Sequence, residues 1–151
     1  MKFKKLESGR SMVEMLGVLA IIGVLSVGGI AGYSLGMRKH RANGIADVAS
    51  KYALVSYNDC QQRILNGEIN TKDRCDVYST ISFNDAGVGK LPSGVKSITP
   101  TNIELNQTDG TDHVSFSITF DDDTLCKAYG SIVGTGCGST GKETSQTIKF
   151  N

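Results

Sequence analysis

The hydrophobic pattern divides the chain into two unlike parts. From Met12 to Met37 the residues are apolar or small, and the one charge is Glu14 near the start. A run of 26 residues at ~1.5 Å of helix rise each is enough to cross a hydrocarbon core of ~30 Å. Upstream, Lys2, Lys4, Lys5 and Arg10 outweigh Glu7, a bias that places the N-terminus in the cytoplasm. A secretory signal peptide fits poorly, because its apolar core is only ~7–15 residues long and ends in a small-residue cleavage site. A carboxylate facing lipid costs roughly 2–3 kcal/mol, so Glu14 needs a partner or a purpose.

Beyond Arg38-Lys39-His40-Arg41 the pattern turns amphipathic. Ile45, Val48, Ala49, Tyr52, Val55, Ile64 and Leu65 fall mostly at three- and four-residue steps, the spacing of one helical face. Ser11 is a candidate cap, Asn66-Gly67 a stop, and Asn43-Gly44 a bend. One helix is therefore expected from about Ser11 to about Leu65, its second half alone covered by a globular head. Glu68–Leu91 has little period and reads as a connection with a short strand at Val77–Phe83. Short strands are expected at Val95–Thr99 and Thr101–Gln107, separated by Pro100, with a hairpin turn at Asp109-Gly110. The clearest strand follows, where Val114, Phe116, Ile118 and Phe120 alternate with Ser115, Ser117 and Thr119. Asp121–Asp123 ends it, Thr124–Tyr129 is a helical turn or another strand, and Thr147–Phe150 is an edge strand. The expected fold class is α+β: about four antiparallel strands packed on Ile45–Leu65, with the apolar face of Val114–Phe120 turned to the helix.

The start of the chain resembles the prepilins of type IV pili and the pseudopilins of type II secretion. Members of that family carry a short basic leader ending in Gly, then a mature chain whose fifth residue is a Glu inside a long apolar helix. Here Gly9 ends the leader, and counting five from Arg10 lands on Glu14. The resemblance is close over about the first 40 residues and only architectural after them. Arg10 departs from the Phe or Met that usually begins the mature chain. The resemblance implies a leader at residues 1–9, a transmembrane and filament-core half-helix at 10–37, and a pilin head at 38–151. It further implies cleavage between Gly9 and Arg10 by a prepilin peptidase, N-methylation of Arg10, and polymerisation with copies of itself or related pilins by inner-membrane assembly machinery. The precursor is then a single-pass inner-membrane protein, and the product an extracellular filament or a periplasmic pseudopilus. Glu14 would meet the freed α-amino group of Arg10 on a neighbouring subunit during assembly. A membrane-anchored binding domain that never polymerises is the rival reading, and it gives Glu14 no such role. Gly28, Gly32 and Gly36 stand four apart, a small-residue series on which helices approach closely. The family's membrane helix partly unwinds around a Gly and a Pro; this segment has Gly23 and Gly28-Gly29 but no Pro.

Composition sharpens this picture only in places. Loss of the leader removes three lysines and one glutamate, leaving a formal charge of −1 and no basic surplus that argues for nucleic acid. Four cysteines, Cys60, Cys75, Cys126 and Cys137, in an exported chain point to two disulfides. Pairing neighbours in sequence closes modest loops worth about 3 kcal/mol each; pairing Cys60 with Cys126 stays open as an alternative. The local pairing would resemble the C-terminal disulfide loop of many pilins. Gly136–Lys142 imitates a phosphate loop, but Glu143 stands where a Ser or Thr would hold magnesium, and no helix pattern follows. Asp121, Asp122 and Asp123 are a weak calcium candidate, since some pilin-like secretion proteins hold calcium in C-terminal loops; a solvated strand end is the commoner use of such residues. His40 and His113 are isolated, and no catalytic arrangement is readable. The reading is a structural subunit, not an enzyme, with no cofactor.

Overall fold

The computed structural model of the chain describes residues 8–69, 74–75, 81–105 and 110–150, the side chains of residues 8–11 and 74 apart. It divides into two compact units between Met37 and Arg38. Six elements follow in order: helix α1 (Ser8–Leu65), strands β1 (Arg74–Cys75), β2 (Val95–Glu104) and β3 (Asp112–Phe120), helix α2 (Asp123–Val133) and strand β4 (Glu143–Phe150). The fold is α+β, a long N-terminal helix followed by a small antiparallel sheet.

In the second unit, α1 buries Ala42, Ile45, Ala49, Tyr52, Ala53, Ser56 and Cys60, positions that recur at three- and four-residue steps along one face. Small residues alternate with large ones on that face, so the helix backbone lies close to the core while Ile45 and Tyr52 fill it. Leu65 departs from the expected apolar stripe and is 84% exposed, while Ile64 beside it packs against the core. Asn43-Gly44 does not break the helix, whose hydrogen-bonded backbone continues through both residues. The stop at Asn66-Gly67 is a Schellman motif. Gly67 takes φ 75°, its amide donates to the Ile64 carbonyl at 3.1 Å, and the Glu68 amide donates to the Arg63 carbonyl at 3.0 Å. At the other end α1 begins at Ser8, so Ser11 lies inside the helix instead of capping it.

The sheet has the order β1-β2-β3-β4, every pair antiparallel. β3 buries Val114, Phe116, Ile118 and Phe120 as expected, and Ser117 between them is buried as well. β2 is one strand where two were expected. Register shifts at Val95/Ser97 and Pro100/Asn102 each insert a residue, so the inward positions run Val95, Ile98, Pro100, Ile103. A bulge resets the phase of a strand, and a proline is tolerated where no ladder donor is required. β1 reaches β2 only at Ile103 and Glu104, which leaves the Pro100 stretch without a second neighbour among the described residues. The expected strand at Val77–Phe83 lies mostly outside the described residues; Ile81-Ser82 is coil and Phe83 opens a turn. Asp109 is also outside them, while Gly110 takes φ 75° beside the start of β3. Thr124–Tyr129 belongs to α2, and Thr147–Phe150 is the end of a longer β4 that pairs along β3.

The two helices and the sheet share one core. Tyr52 stacks at a tilt against Phe83 with centroids 5.2 Å apart and donates its hydroxyl to the Ile81 carbonyl at 2.8 Å. Phe120 of β3 meets Tyr129 of α2 at 5.5 Å. Tyr129 is fully buried, and its hydroxyl donates to the Gln146 side-chain carbonyl on β4.

Candidate functional site

The first unit is helix with an apolar surface facing outward. Large hydrophobic residues from Met12 to Leu35 are all at least half exposed, Val24 at 74%, and α1 is long and apolar enough to cross a membrane by length and composition. Ser26 and Ser34 return their hydroxyls to the helix, donating to the Ile22 carbonyl at 2.7 Å and the Ala31 carbonyl at 2.9 Å. A hydroxyl satisfied by its own backbone is compatible with a surface that has no water. A Cβ added at Gly28, Gly32 or Gly36 would meet nothing within 4 Å, so no contact inside the chain requires those positions to be small. Glu14 is exposed on the same helix. Gly9 and Arg10 lie in its first turn, their side chains outside the described set, as are residues 1–7.

In the second unit the four cysteines pair locally, Cys60 with Cys75 and Cys126 with Cys137, each pair with Cα atoms 6.1 Å apart. The first bond ties the last turns of α1 to β1; the second ties α2 to the segment leading into β4. Cys126 sits on α2 and is bonded to Cys137, so the alternative Cys60–Cys126 pairing is not the one formed.

Asp121, Asp122 and Asp123 do not converge. Asp122 caps α2: its carboxylate accepts from the Leu125 amide at 2.8 Å and from the Thr124 hydroxyl at 2.5 Å. Those bonds, the hydroxyl's first, hold its carboxyl below the usual carboxylate range. Asp123 pairs with Lys127 one turn on at 2.8 Å, and that bond lowers its pKa as it raises that of the lysine. Among the described residues no three His, Cys, Asp or Glu side chains are placed to hold a metal.

Gly136–Lys142 runs directly into β4, where a phosphate loop would run into a helix. Its amides are directed at its own neighbourhood, with Gly138 donating to the Glu143 carbonyl at 2.6 Å and Gly141 to the Gly138 carbonyl at 2.8 Å. The hollow beside it, about 490 Å³, is lined by Ser139, Thr140, Glu143 and Thr144 among others, and by no cation among the described residues. His113 sits 2.9 Å from the Thr111 hydroxyl on β3, and His40 is exposed on α1.

One grouping has no sequence motif. His40 and Arg41 on α1 share a hollow of about 300 Å³ with Lys90 and Ser93 from the loop before β2. Only a fold brings those segments together, although the basic run Arg38–Arg41 marks half of it. No family model, curated protein or solved structure matches the chain.

Proposed function

We propose that the chain is the structural subunit of a type IV pilus or pilus-like filament. It is made as a membrane-anchored precursor, cleaved after Gly9, and polymerised through its N-terminal helix. The observation that carries the reading is a single helix of two characters. Its first part, Met12–Leu35, exposes every large apolar side chain; its second part, from Ala42, is buried as the spine of a disulfide-bonded head. An exposed apolar surface of this extent is untenable in water, and lipid before assembly and neighbouring helices after it supply the two covers that a pilin requires. Glu14 at the fifth mature position and a series of glycines that the chain's own packing does not need both favour the second cover. A plain membrane anchor accounts for the apolar length alone.

The test is to shear the surface of cells expressing the chain and to examine the released material by electron microscopy and intact mass. Filaments whose subunit begins at Arg10 are the expected result, and Gly9→Val should leave uncut precursor in the membrane. A membrane-bound chain that is never cut, and never found in filaments, is the outcome that returns the anchor reading.

A further inference from the structure

We propose that the hollow lined by His40, Arg41 and Lys90 binds the phosphate of an anionic phospholipid headgroup, at the surface of the membrane that the Met12–Met37 segment enters. The proposal rests on the anchoring half of the reading above. His40, Gly44 and Val48 follow one another at four-residue steps along α1, with Arg41 beside them. Gly44 is helical and has nothing within 4 Å of where a Cβ would stand, so its missing side chain opens the notch that His40 and Arg41 flank. The opposite wall is the loop holding Lys90, Pro92 and Ser93. That loop is closed by a turn in which the Val95 amide donates to the Pro92 carbonyl at 3.1 Å, and Pro92 has a restricted φ.

The charge in the notch is of one sign. Among the described residues no carboxylate lines it, and Arg41 and Lys90 form no ion pair. Lys51, further along α1, is by contrast held by Asp47 at 2.7 Å. A planar guanidinium, an ammonium and the Ser93 hydroxyl, from two segments fixed by the fold, form a donor set suited to a phosphate. A volume of about 300 Å³ is at the lower end of ligand-sized clefts.

The position along the chain selects a lipid as the source of that phosphate. His40 and Arg41 follow the last residue of the apolar run by three and four residues. Three or four residues span at most ~14 Å even fully extended, so the chain itself keeps both side chains near the surface of the membrane that the apolar run enters. Basic residues at this depth are drawn to anionic lipids.

The experiment compares the full chain in phosphatidylcholine vesicles with the chain in vesicles where a third of the lipid is phosphatidylglycerol. Flotation reports anchoring. Acetylation of Lys90, followed by peptide mass spectrometry, reports occupancy of the notch, with Lys96 on β2 as the lysine outside it. Lys90 should be acetylated about fivefold more slowly with phosphatidylglycerol, Lys96 should be unchanged, and Arg41→Gln should abolish the protection without altering flotation. A chain that floats with both vesicles while Lys90 reacts equally overturns the phosphate site alone. Equal slowing at Lys90 and Lys96 also overturns it, because diffuse surface attraction selects no particular lysine. Inorganic phosphate added to phosphatidylcholine vesicles should protect poorly, and full protection by it would overturn the lipid as the source. A chain that floats with neither vesicle overturns the anchoring reading and the lipid site with it.

Discussion

Tyr57 on α1 donates its hydroxyl to a carboxylate oxygen of Asp112, at the start of β3, across 2.5 Å. The same ring stacks on Phe150 at the end of β4, with centroids 4.8 Å apart and planes 11° from parallel. One side chain thus ties the helix to two neighbouring strands at the end of the sheet where Asp112 pairs with Phe150. The carboxylate accepts from the neutral phenol, and chiefly for that reason the Tyr57 pKa is raised.

Tyr57→Phe should remove the hydrogen bond and keep the stack, lowering stability by about 1 kcal/mol. Tyr57→Leu should lose both and cost about 1 kcal/mol more. Thermal melts of the detergent-solubilised chain, followed by near-ultraviolet circular dichroism, would measure the order. Equal melting of wild type and Tyr57→Leu would mean that this contact does not hold the helix to the sheet.

Gly130 sits within α2, where no positive φ demands a glycine, yet a Cβ there would fall on the Thr135 backbone carbonyl oxygen. Thr135 is held in that position because its amide donates to the Gly130 carbonyl at 3.1 Å, beside the bond from Gly134 at 2.9 Å. Backbone cannot rotate aside as a long side chain can. Gly130→Ala should therefore destabilise the head by about 1–3 kcal/mol, against the gain that alanine normally brings to a helix. Denaturant unfolding would measure it, and a more stable variant would contradict the geometry.

Burial pushes the Tyr129 phenol up to about 12, while its unfolded counterpart ionises near 10. The folded state therefore holds its proton more tightly than the unfolded state. The resulting stability is complete below pH ~10 and is lost as the pH rises toward 12. Spectrophotometric titration should find tyrosinate appearing with unfolding in that window, and Tyr129→Phe should shift the alkaline midpoint upward. An ordinary titration near 10 with the head still folded would rule this out.

In the filament proposed above, whose helix would start at Arg10, the macrodipole would contribute ~1 kcal/mol or less to Glu14, too little to offset burial of a charge in an apolar core. An α-amino group from a neighbouring subunit could offset it, because opposite charges interact more strongly where water is scarce. Glu14→Gln and Glu14→Val should both keep membrane insertion and head folding yet lower filament yield, despite the greater apolarity of valine. Filament yield measured beside membrane-fraction abundance decides it. Normal filaments from Glu14→Val would remove the carboxylate from assembly.

Much of this protein was legible in the order of residues, because several of its features are local. The apolar run Met12–Met37, the alternation of Val114–Phe120, and the Asn66-Gly67 stop each depend on a few adjacent residues, and helical and strand periods differ enough to separate them. Tertiary structure decided whatever required distant segments to meet. Pro100 reads as a break, yet β2 runs through it because two bulges restore the inward phase and, among the described residues, β1 leaves that edge uncovered. Thr124–Tyr129 was ambiguous over six residues; it became helix once Asp122 could cap it and Leu125, Cys126 and Tyr129 could bury one face. Four cysteines allow three pairings, and the choice fell to the fold, which places Cys60 against β1 and Cys126 beside the approach to β4. The hollow at His40, Arg41 and Lys90 belongs with these. Its two walls lie far apart in the chain, and no period or spacing links a helix face to a loop that only the packed sheet brings alongside it.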